Sequence, residues 1–452
     1  MLNYLNIRNF RAFRGQQFDF SKINIFMGPN NSGKSSALSA INLLAQTIQS
    51  RHLSPGPLLL NGPYEELGTY IDAVHGNHPR SVLGFDFGIG NYHVSFDTKY
   101  RTQRREIELS KFALRDQTKP VYSYQLRRSG YEVRLKGQLI ENVLPNAQKR
   151  KPTLNGFWPW DQSIRFPVMA DDESAESRKG RLLRELSRSM RMAERSLLDQ
   201  FRNFDTLSPF REKPDRTYMY TGQVPTSIGR TGANGISLIV NDSSKRGAQR
   251  VGILDEINTF FQVTGIAKGI KVRNLTSRHY EICLVDHDGL EHNICDVGFG
   301  CSQVLPVLVS GLHLFLSSKA YTRRFPPMLV VQEPEIHLHP NAQAALGSFF
   351  VGLSNYKGQL FIETHSDHLV IRIARHVARG DIKAEDVVIY YIYDDDGTRN
   401  VSKMSFDDRG AFKPEWPGGF LPHRRSESLA LAHDRNEAKS VENQMVFPYL
   451  DS

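Results

Sequence analysis

Apolar and polar residues alternate from the first positions of the chain. Leu5, Ile7, Phe10 and Phe13, followed by Phe18 and Phe20, predict two half-buried strands, and the run Ile23-Asn24-Ile25-Phe26-Met27 predicts a third, buried one. That third strand enters Gly28 directly. From Lys34 to about Gln49 the apolar spacing changes to threes and fours (Leu38, Ile41, Leu44, Ala45, Ile48), so a helix follows the glycine-containing turn at once, and Pro55-Gly56-Pro57 closes the unit.

Short alternating runs over residues 80–145, broken by turn residues, predict an antiparallel sheet. Residues 146–173 read as an irregular loop. Leu182, Leu186, Met190, Ala193, Leu197 and Phe201 then step by four or three and predict a long amphipathic helix over residues 175–204. Asp288-Gly289 centres a hairpin over residues 278–294, and residues 300–317 form a helix. Beyond it the pattern predicts strand 328–331, helix 341–353, strand 359–362, helix 367–379 and strand 387–393. Strands alternating with helices across short loops are the pattern of a mainly parallel α/β sheet.

Gly28-Pro29-Asn30-Asn31-Ser32-Gly33-Lys34-Ser35 meets the phosphate-binding pattern G-x-x-x-x-G-K-[ST] at each fixed position, between a predicted strand and a predicted helix. Glycines let the backbone turn tightly, so successive N–H groups and the helix N-terminus face the phosphates. Lys34 is placed to reach the β- and γ-phosphates and Ser35 to bind Mg2+. Two further strands end in polar groups, at Gln332-Glu333-Pro334-Glu335 and at Glu363-Thr364-His365-Ser366, where parallel sheets carry their chemistry. Taken singly, a strand-end Glu is as well explained without a function, and a strand-end His is more often a surface or capping residue.

The helix over 175–204 carries Arg181, Arg184, Arg188, Arg191 and Arg195 within an arc of roughly 80°, at 100° per residue, opposite its leucine face. Three readings stand side by side: a track for a nucleic-acid phosphate backbone, a surface for an acidic protein, and a solvated face. The formal net charge of +9 favours polyanions in general and says nothing of chemistry.

At 452 residues the chain exceeds what one core supports, so two lobes, or one domain with a large insertion, are expected. Its composition is that of a packed globular protein, with 40% hydrophobic and 23% charged residues. Cys283, Cys295 and Cys301 lack the paired spacing of a zinc site or disulfide framework and are expected to be reduced. No uninterrupted apolar run of membrane-spanning length occurs and the start lacks a secretion signal's apolar stretch, so a cytosolic location is expected.

The motifs also fall in a telling order. Arg8-Asn9-Phe10-Arg11-Ala12-Phe13 precedes the phosphate loop; Gly298-Phe299-Gly300-Cys301-Ser302-Gln303, then Glu333-Pro334-Glu335-Ile336-His337-Leu338-His339-Pro340, then Thr364-His365-Ser366-Asp367 follow it. In this order the chain resembles the ATP-binding-cassette (ABC) ATPases of the RecF, SMC and OLD type, including ATPases of bacterial anti-phage systems. The match is close over residues 1–50 and 290–395 and weaker at Ser208-Pro209-Phe210-Arg211 and Trp416-Pro417-Gly418-Gly419-Phe420. Residues 90–200 carry no match.

The resemblance implies an α/β fold: an ABC-type head with a mainly parallel P-loop sheet flanked by helices, plus an antiparallel β lobe and a helical insertion. It divides the chain at 1–90 (first part of the head), 91–215 (β lobe and arginine helix), 216–395 (second part of the head) and 396–452 (C-terminal extension). It further implies ATP and Mg2+ as cofactors. Arg11, Gly28, Asn30, Asn31, Ser32, Gly33, Lys34, Ser35 and Ser36 are then nucleotide contacts, with Ser35 and Gln332 toward the metal. Glu333 polarises the attacking water, His365 senses the γ-phosphate, and Lys34 completes the catalytic group. Gly300, Ser302 and Gln303 act as the signature segment that touches a partner's γ-phosphate in a head-to-tail dimer or larger homo-oligomer. Gln332 departs from the family, which usually has an acid there, and points to slow or switch-like turnover.

Two functions fit. One is an ATP-gated sensor that regulates a separate effector, such as a nuclease, in anti-phage defence. The other is a RecF-like DNA-binding repair protein; DNA or RNA is a partner in that case and a membrane is not. A transporter subunit fits less well, because the 298–303 segment departs from the transporter signature. Asp394-Asp395-Asp396 and Asp407-Asp408 sit in too short a context for a fused nuclease domain and read as acidic loops.

Overall fold

A computed structural model describes residues 1–50, 56–127, 130–140, 152–160, 178–316, 325–395, 398–414 and 416. The antiparallel sheet begins at the start of the chain. β1 (Leu2–Phe10) and β2 (Phe13–Asp19) form a hairpin. β3 (Ile23–Met27) leaves for the parallel sheet and leads into α1 (Lys34–Gln49); a short α2 (Tyr70–Ala73) follows. β4 (Leu83–Ile89) returns beside β1, and β5 (Tyr92–Arg101), β6 (Glu106–Asp116), β7 (Lys119–Arg127), β8 (Gly130–Leu135) and β9 (Gln138–Leu139) continue in the order β2-β1-β4-β5-β6-β7-β8-β9. β10 (Thr153–Asn155) and β11 (Trp158–Trp160) make a small separate hairpin, and α3 (Arg178–Phe201) packs below the sheet.

The second sheet collects β12 (Phe204–Leu207), β17 (Met328–Gln332), β18 (Gln359–Glu363), β3 and β19 (Val387–Asp395) as parallel neighbours in that order. β20 (Thr398–Phe406) and β21 (Phe412–Lys413) add antiparallel edges. Between β12 and β17 the chain builds β13 (Tyr218–Met219), α4 (Gly235–Ser244), α5 (Ile253–Thr264), β14 (Gly269–Asn274), β15 (His279–Val285), β16 (Glu291–Asn293) and α6 (Phe299–Leu316). α7 (Pro340–Ser354) and α8 (Asp367–Ala378) are the crossovers after β17 and β18.

Alternate residues of the parallel strands enter different cores. Phe26, Met328, Val330, Phe361, Val388 and Tyr390 pack with the antiparallel sheet, α1 and α3. Ile25, Leu329, Val331, Leu360, Ile362 and Ile389 pack with α4 to α8. A sheet covered on both faces needs the near-continuous apolar strands that the pattern displays. α1 lies between the two sheets, which explains why even its polar Ser39, Asn42, Gln46 and Thr47 are buried. α6 is long and apolar enough by composition to cross a membrane, but most of it is buried in the second core. Cys283, Cys295 and Cys301 are free thiols, and burial pushes all three above the usual thiol range.

Several expected boundaries move. A division at residue 90 runs between β4 and β5, which are hydrogen-bonded neighbours; β1 and β2 belong to the same sheet because β1 pairs with β4. A division at 395 cuts the β19–β20 hairpin. The arginine helix ends at Phe201, and Phe204 starts an edge strand whose four residues are all buried. The 146–173 segment holds the β10–β11 hairpin where it is described; 146–151, 161–173, Asp396 and 417–420 lie outside the described residues.

Candidate functional site

The phosphate loop leaves β3 at the carboxyl edge of the parallel sheet, as the order strand, loop, helix requires. Its backbone uses positive φ at Gly28 (144°), Asn31 (62°) and Gly33 (108°). A side chain at Gly28 would place Cβ 1.9 Å from the Ile392 carbonyl oxygen, so only glycine fits there. α1 starts at Lys34 without a side-chain cap, leaving its first N–H groups directed at the loop's cavity. The Ser32 hydroxyl is buried with no hydrogen-bond partner. Lys34 Nζ donates to the carbonyls of Gly28 (3.0 Å) and Pro29 (2.8 Å), across the mouth of the loop. Burial pulls its pKa below the usual lysine value, and Glu363, Glu333 and Glu335 work in the other direction.

Three carboxylates converge from two adjacent strand ends. Glu333 follows β17 with φ 46°, a left-handed conformation that costs about 1–3 kcal/mol in a non-glycine residue. It is held there: its N–H donates to the Glu363 carbonyl (2.7 Å), and its carbonyl accepts from Arg211 Nη2 (2.8 Å). His365 Nε2 lies 4.0 Å from Glu333 Oε1, and burial first, then the Lys34 charge, lowers the imidazole pKa, so the ring is neutral at pH 7 and can donate from one nitrogen. Glu335 is buried, accepts the His365 backbone N–H at 2.6 Å, and burial raises its pKa. Burial likewise raises Glu363, which accepts from Ser35 Oγ (2.7 Å) and Gln332 Nε2 (2.9 Å).

Lys34, Ser35, Glu333, His365 and Gln332 are thus brought together, although they come from three separate stretches of sequence. Asn30 and Asn31 lie exposed on the loop, with Ser36 in the first turn of α1. Arg11 is placed differently: its guanidinium donates to Ser39 Oγ on α1 (3.1 Å) and lies 4.0 Å from Glu65, so it braces the helix and not the phosphate loop. Gln332 donates its amide Nε2 to Glu363, so the nitrogen side of the amide is engaged by that carboxylate.

The segment expected to act as the signature starts α6. Gly300 lies so close to the Glu335–His339 loop that a Cβ would sit 2.7 Å from the His337 carbonyl oxygen. Ser302 turns its hydroxyl to the Phe299 carbonyl (3.0 Å) of its own helix, and both Ser302 and Gln303 are buried in this chain. Gly298 and Phe299 are the exposed residues of the segment, with Lys213 over the Phe299 ring.

Two arginines escaped the sequence reading. Arg211, buried, donates to the carbonyls of Gln332 (2.9 Å), Glu333 and Gln303 (3.4 Å), tying α6 to the end of β17; burial brings its pKa down to about 10, with Glu335 and Glu333 opposing. Its segment, Ser208-Pro209-Phe210-Arg211, was visible as a weak match, but nothing local foretells three carbonyl partners from two distant elements. Arg399 of β20 donates to Ala12 O and Asn31 O, both at 3.0 Å, and backs the phosphate loop. Arg211→Lys, with one nitrogen in place of a fork, is expected to lose roughly 1–3 kcal/mol of stability, as buried carbonyls lose donors. Its ATPase rate should fall further than its melting temperature explains, since Glu333 is no longer clamped; equal rates for variant and parent would refute the clamp.

The hard oxygen donors Ser35 Oγ and the Glu363 carboxylate, beside a loop built for phosphates, suit Mg2+ held largely by nucleotide oxygens. A family model described as "AAA domain, putative AbiEii toxin, Type IV TA system" matches residues 23–371. Among solved structures the chain is similar to the SMC head domain from Thermotoga maritima (10% identity, 89% of this chain and 98% of that chain, TM-score 0.35). It is also similar to an Smc head with an extended coiled coil bound to the C-terminal domain of ScpA from Pyrococcus furiosus (12%, 89% and 96%, TM-score 0.38). No curated protein matches the chain's sequence.

Proposed function

The chain belongs to this AAA-domain family of ATPases, and on that premise we propose that it is an ATP-hydrolysing switch of the ABC type that regulates a separate effector, such as a nuclease, in bacterial anti-phage defence. One observation carries the ATPase part: Lys34 and Ser35 of the phosphate loop stand with Glu333 and His365 at the ends of neighbouring parallel strands. Lys34 leaves its two carbonyls to meet the β- and γ-phosphates. Glu333 orients the attacking water, and His365 donates to a γ-phosphate oxygen. Ser35 and Glu363 would hold Mg2+ beside the loop, where its charge would neutralise that of the phosphate oxygens. Phosphoryl transfer asks mainly for such positioning, which the clamped strand ends supply.

In this reading the α6 N-terminus, with Phe299 exposed, meets the nucleotide of a second copy, and the cytosol is its location. The family's description as a toxin of a type IV toxin–antitoxin system supports a role in bacterial conflict. The RecF-like alternative has its own support. Arg181, Arg184, Arg188, Arg191 and Arg195 are all exposed along α3, while Leu186, Met190, Ala193, Leu197 and Phe201 are buried beneath them.

Light scattering and ATPase assays with and without duplex DNA test both. Mg-ATP should double the particle mass; a monomer mass at saturating nucleotide would refute the head-to-tail sandwich. If DNA phosphates are ligands of α3, Arg184, Arg188 and Arg191 changed together to Gln should flatten the salt dependence of binding by about 0.9 per lost contact. An unchanged slope dismisses the DNA reading.

A further inference from the structure

We propose that Glu363 is the carboxylate through which this chain holds the Mg2+ of its nucleotide, the metal-supporting acid having moved one strand across the sheet. The proposal rests on the ATP-site reading above. P-loop NTPases commonly hold the ion with the loop's Ser or Thr and with an acid at the end of the strand that carries the catalytic region. The residue at that strand end, immediately before Glu333, is Gln332. Gln332 and Glu363 are register partners on adjacent parallel strands, so their side chains leave the same face at the same level. β18 lies between β17 and β3, which brings Glu363 nearer to the phosphate loop than Gln332.

The contacts agree with this exchange. Glu363 Oε1 accepts the Ser35 hydroxyl at 2.7 Å, and Ser35 is the loop's metal ligand by position. Oε2 accepts the Gln332 amide at 2.9 Å, which fixes the plane of the carboxylate as outer-shell partners of metal ligands do. Glu363 is only 2% exposed, an expensive place for a charge that the Lys34 ammonium answers in part and a bound cation would answer further. The other two acids are engaged elsewhere: Glu335 Oε1 caps the His365 N–H, and Glu333 faces the His365 ring.

Binding of a fluorescent ADP analogue, measured in EDTA and across Mg2+ concentrations, and Mn2+ binding to the nucleotide complex, measured by electron paramagnetic resonance, test the assignment. Glu363→Gln should weaken Mn2+ by at least about 10-fold in the nucleotide complex, since losing a ligand costs no less than losing an outer-shell partner of one. The ratio of nucleotide affinities with and without metal should shrink correspondingly. The swap Glu363→Gln/Gln332→Asp keeps one acid and one amide side by side, and it should recover most of the Mn2+ affinity. It also decides the matter if Glu363→Gln folds poorly: recovered Mn2+ affinity supports the assignment, and a folded swap that binds no Mn2+ counts against it. Wild-type Mn2+ affinity in Glu363→Gln overturns the proposal. Failure of the parent protein to bind nucleotide even in EDTA, with the fold intact, overturns the ATP-site reading instead, so the two failures are distinct.

Discussion

Glu333→Gln is expected to slow ATP hydrolysis on the order of 10²–10⁴-fold, the range that a positioned proton acceptor supplies, while ATP stays bound. The change removes one charge and almost no volume. Its backbone clamps, the Glu363 carbonyl and the Arg211 guanidinium, do not involve the side chain and persist in the variant. Two copies that close around ATP then have no route to reopen by hydrolysis, so light scattering should show a dimer that persists in Mg-ATP and decays in the parent protein. Turnover at the parental rate would remove Glu333 from the catalytic role, whatever the fate of the dimer.

Lys34→Ala should cost at least about 100-fold in nucleotide affinity. At 1.4 kcal/mol per tenfold this is roughly 3 kcal/mol. One or two charge-assisted hydrogen bonds, at about 1.5–3 kcal/mol each, account for it. The ammonium already sits at the loop's mouth on the Gly28 and Pro29 carbonyls, so it needs only to exchange those partners for phosphate oxygens. Burial disfavours its charge, so truncation removes an electrostatic cost along with two hydrogen bonds, and the variant is expected to remain folded. Calorimetric titration with Mg-ATP checks the affinity, and unchanged heats would show that the loop binds without its lysine.

How far the sequence carries the fold differs from element to element. β3, α1, α6, β17, α7, β18, α8 and β19 all stand within a few residues of where periodicity places them. These are the buried parallel strands and their crossover helices, in which long-range packing and local pattern ask for the same residues. The helix pattern runs on to Phe204, the first residue of β12, because four residues are too few to establish a strand period; the strand conformation comes from pairing with β17. The α4–α5 region gave no clear reading, and the β1–β2 hairpin offered nothing to say which sheet it joins.

The candidate site divides in the same way. The phosphate loop is local chemistry: positive φ at Gly28, Asn31 and Gly33 and one helix start, all written within eight consecutive residues, so sequence alone determines Gly28 to Ser35. Sequence alone also presents Glu333 and His365, because a polar residue at the end of an apolar strand must lie at the sheet's edge. What the tertiary structure decided is which of these groups touch. Strand order places β18 between β3 and β17, and that adjacency hands the Ser35 hydroxyl to Glu363, while Arg211 arrives from the loop after β12, more than 100 residues upstream, to grip the Glu333 backbone. Pairing of distant strands depends on the sum of many apolar contacts spread across two cores, and no short window of residues contains that sum.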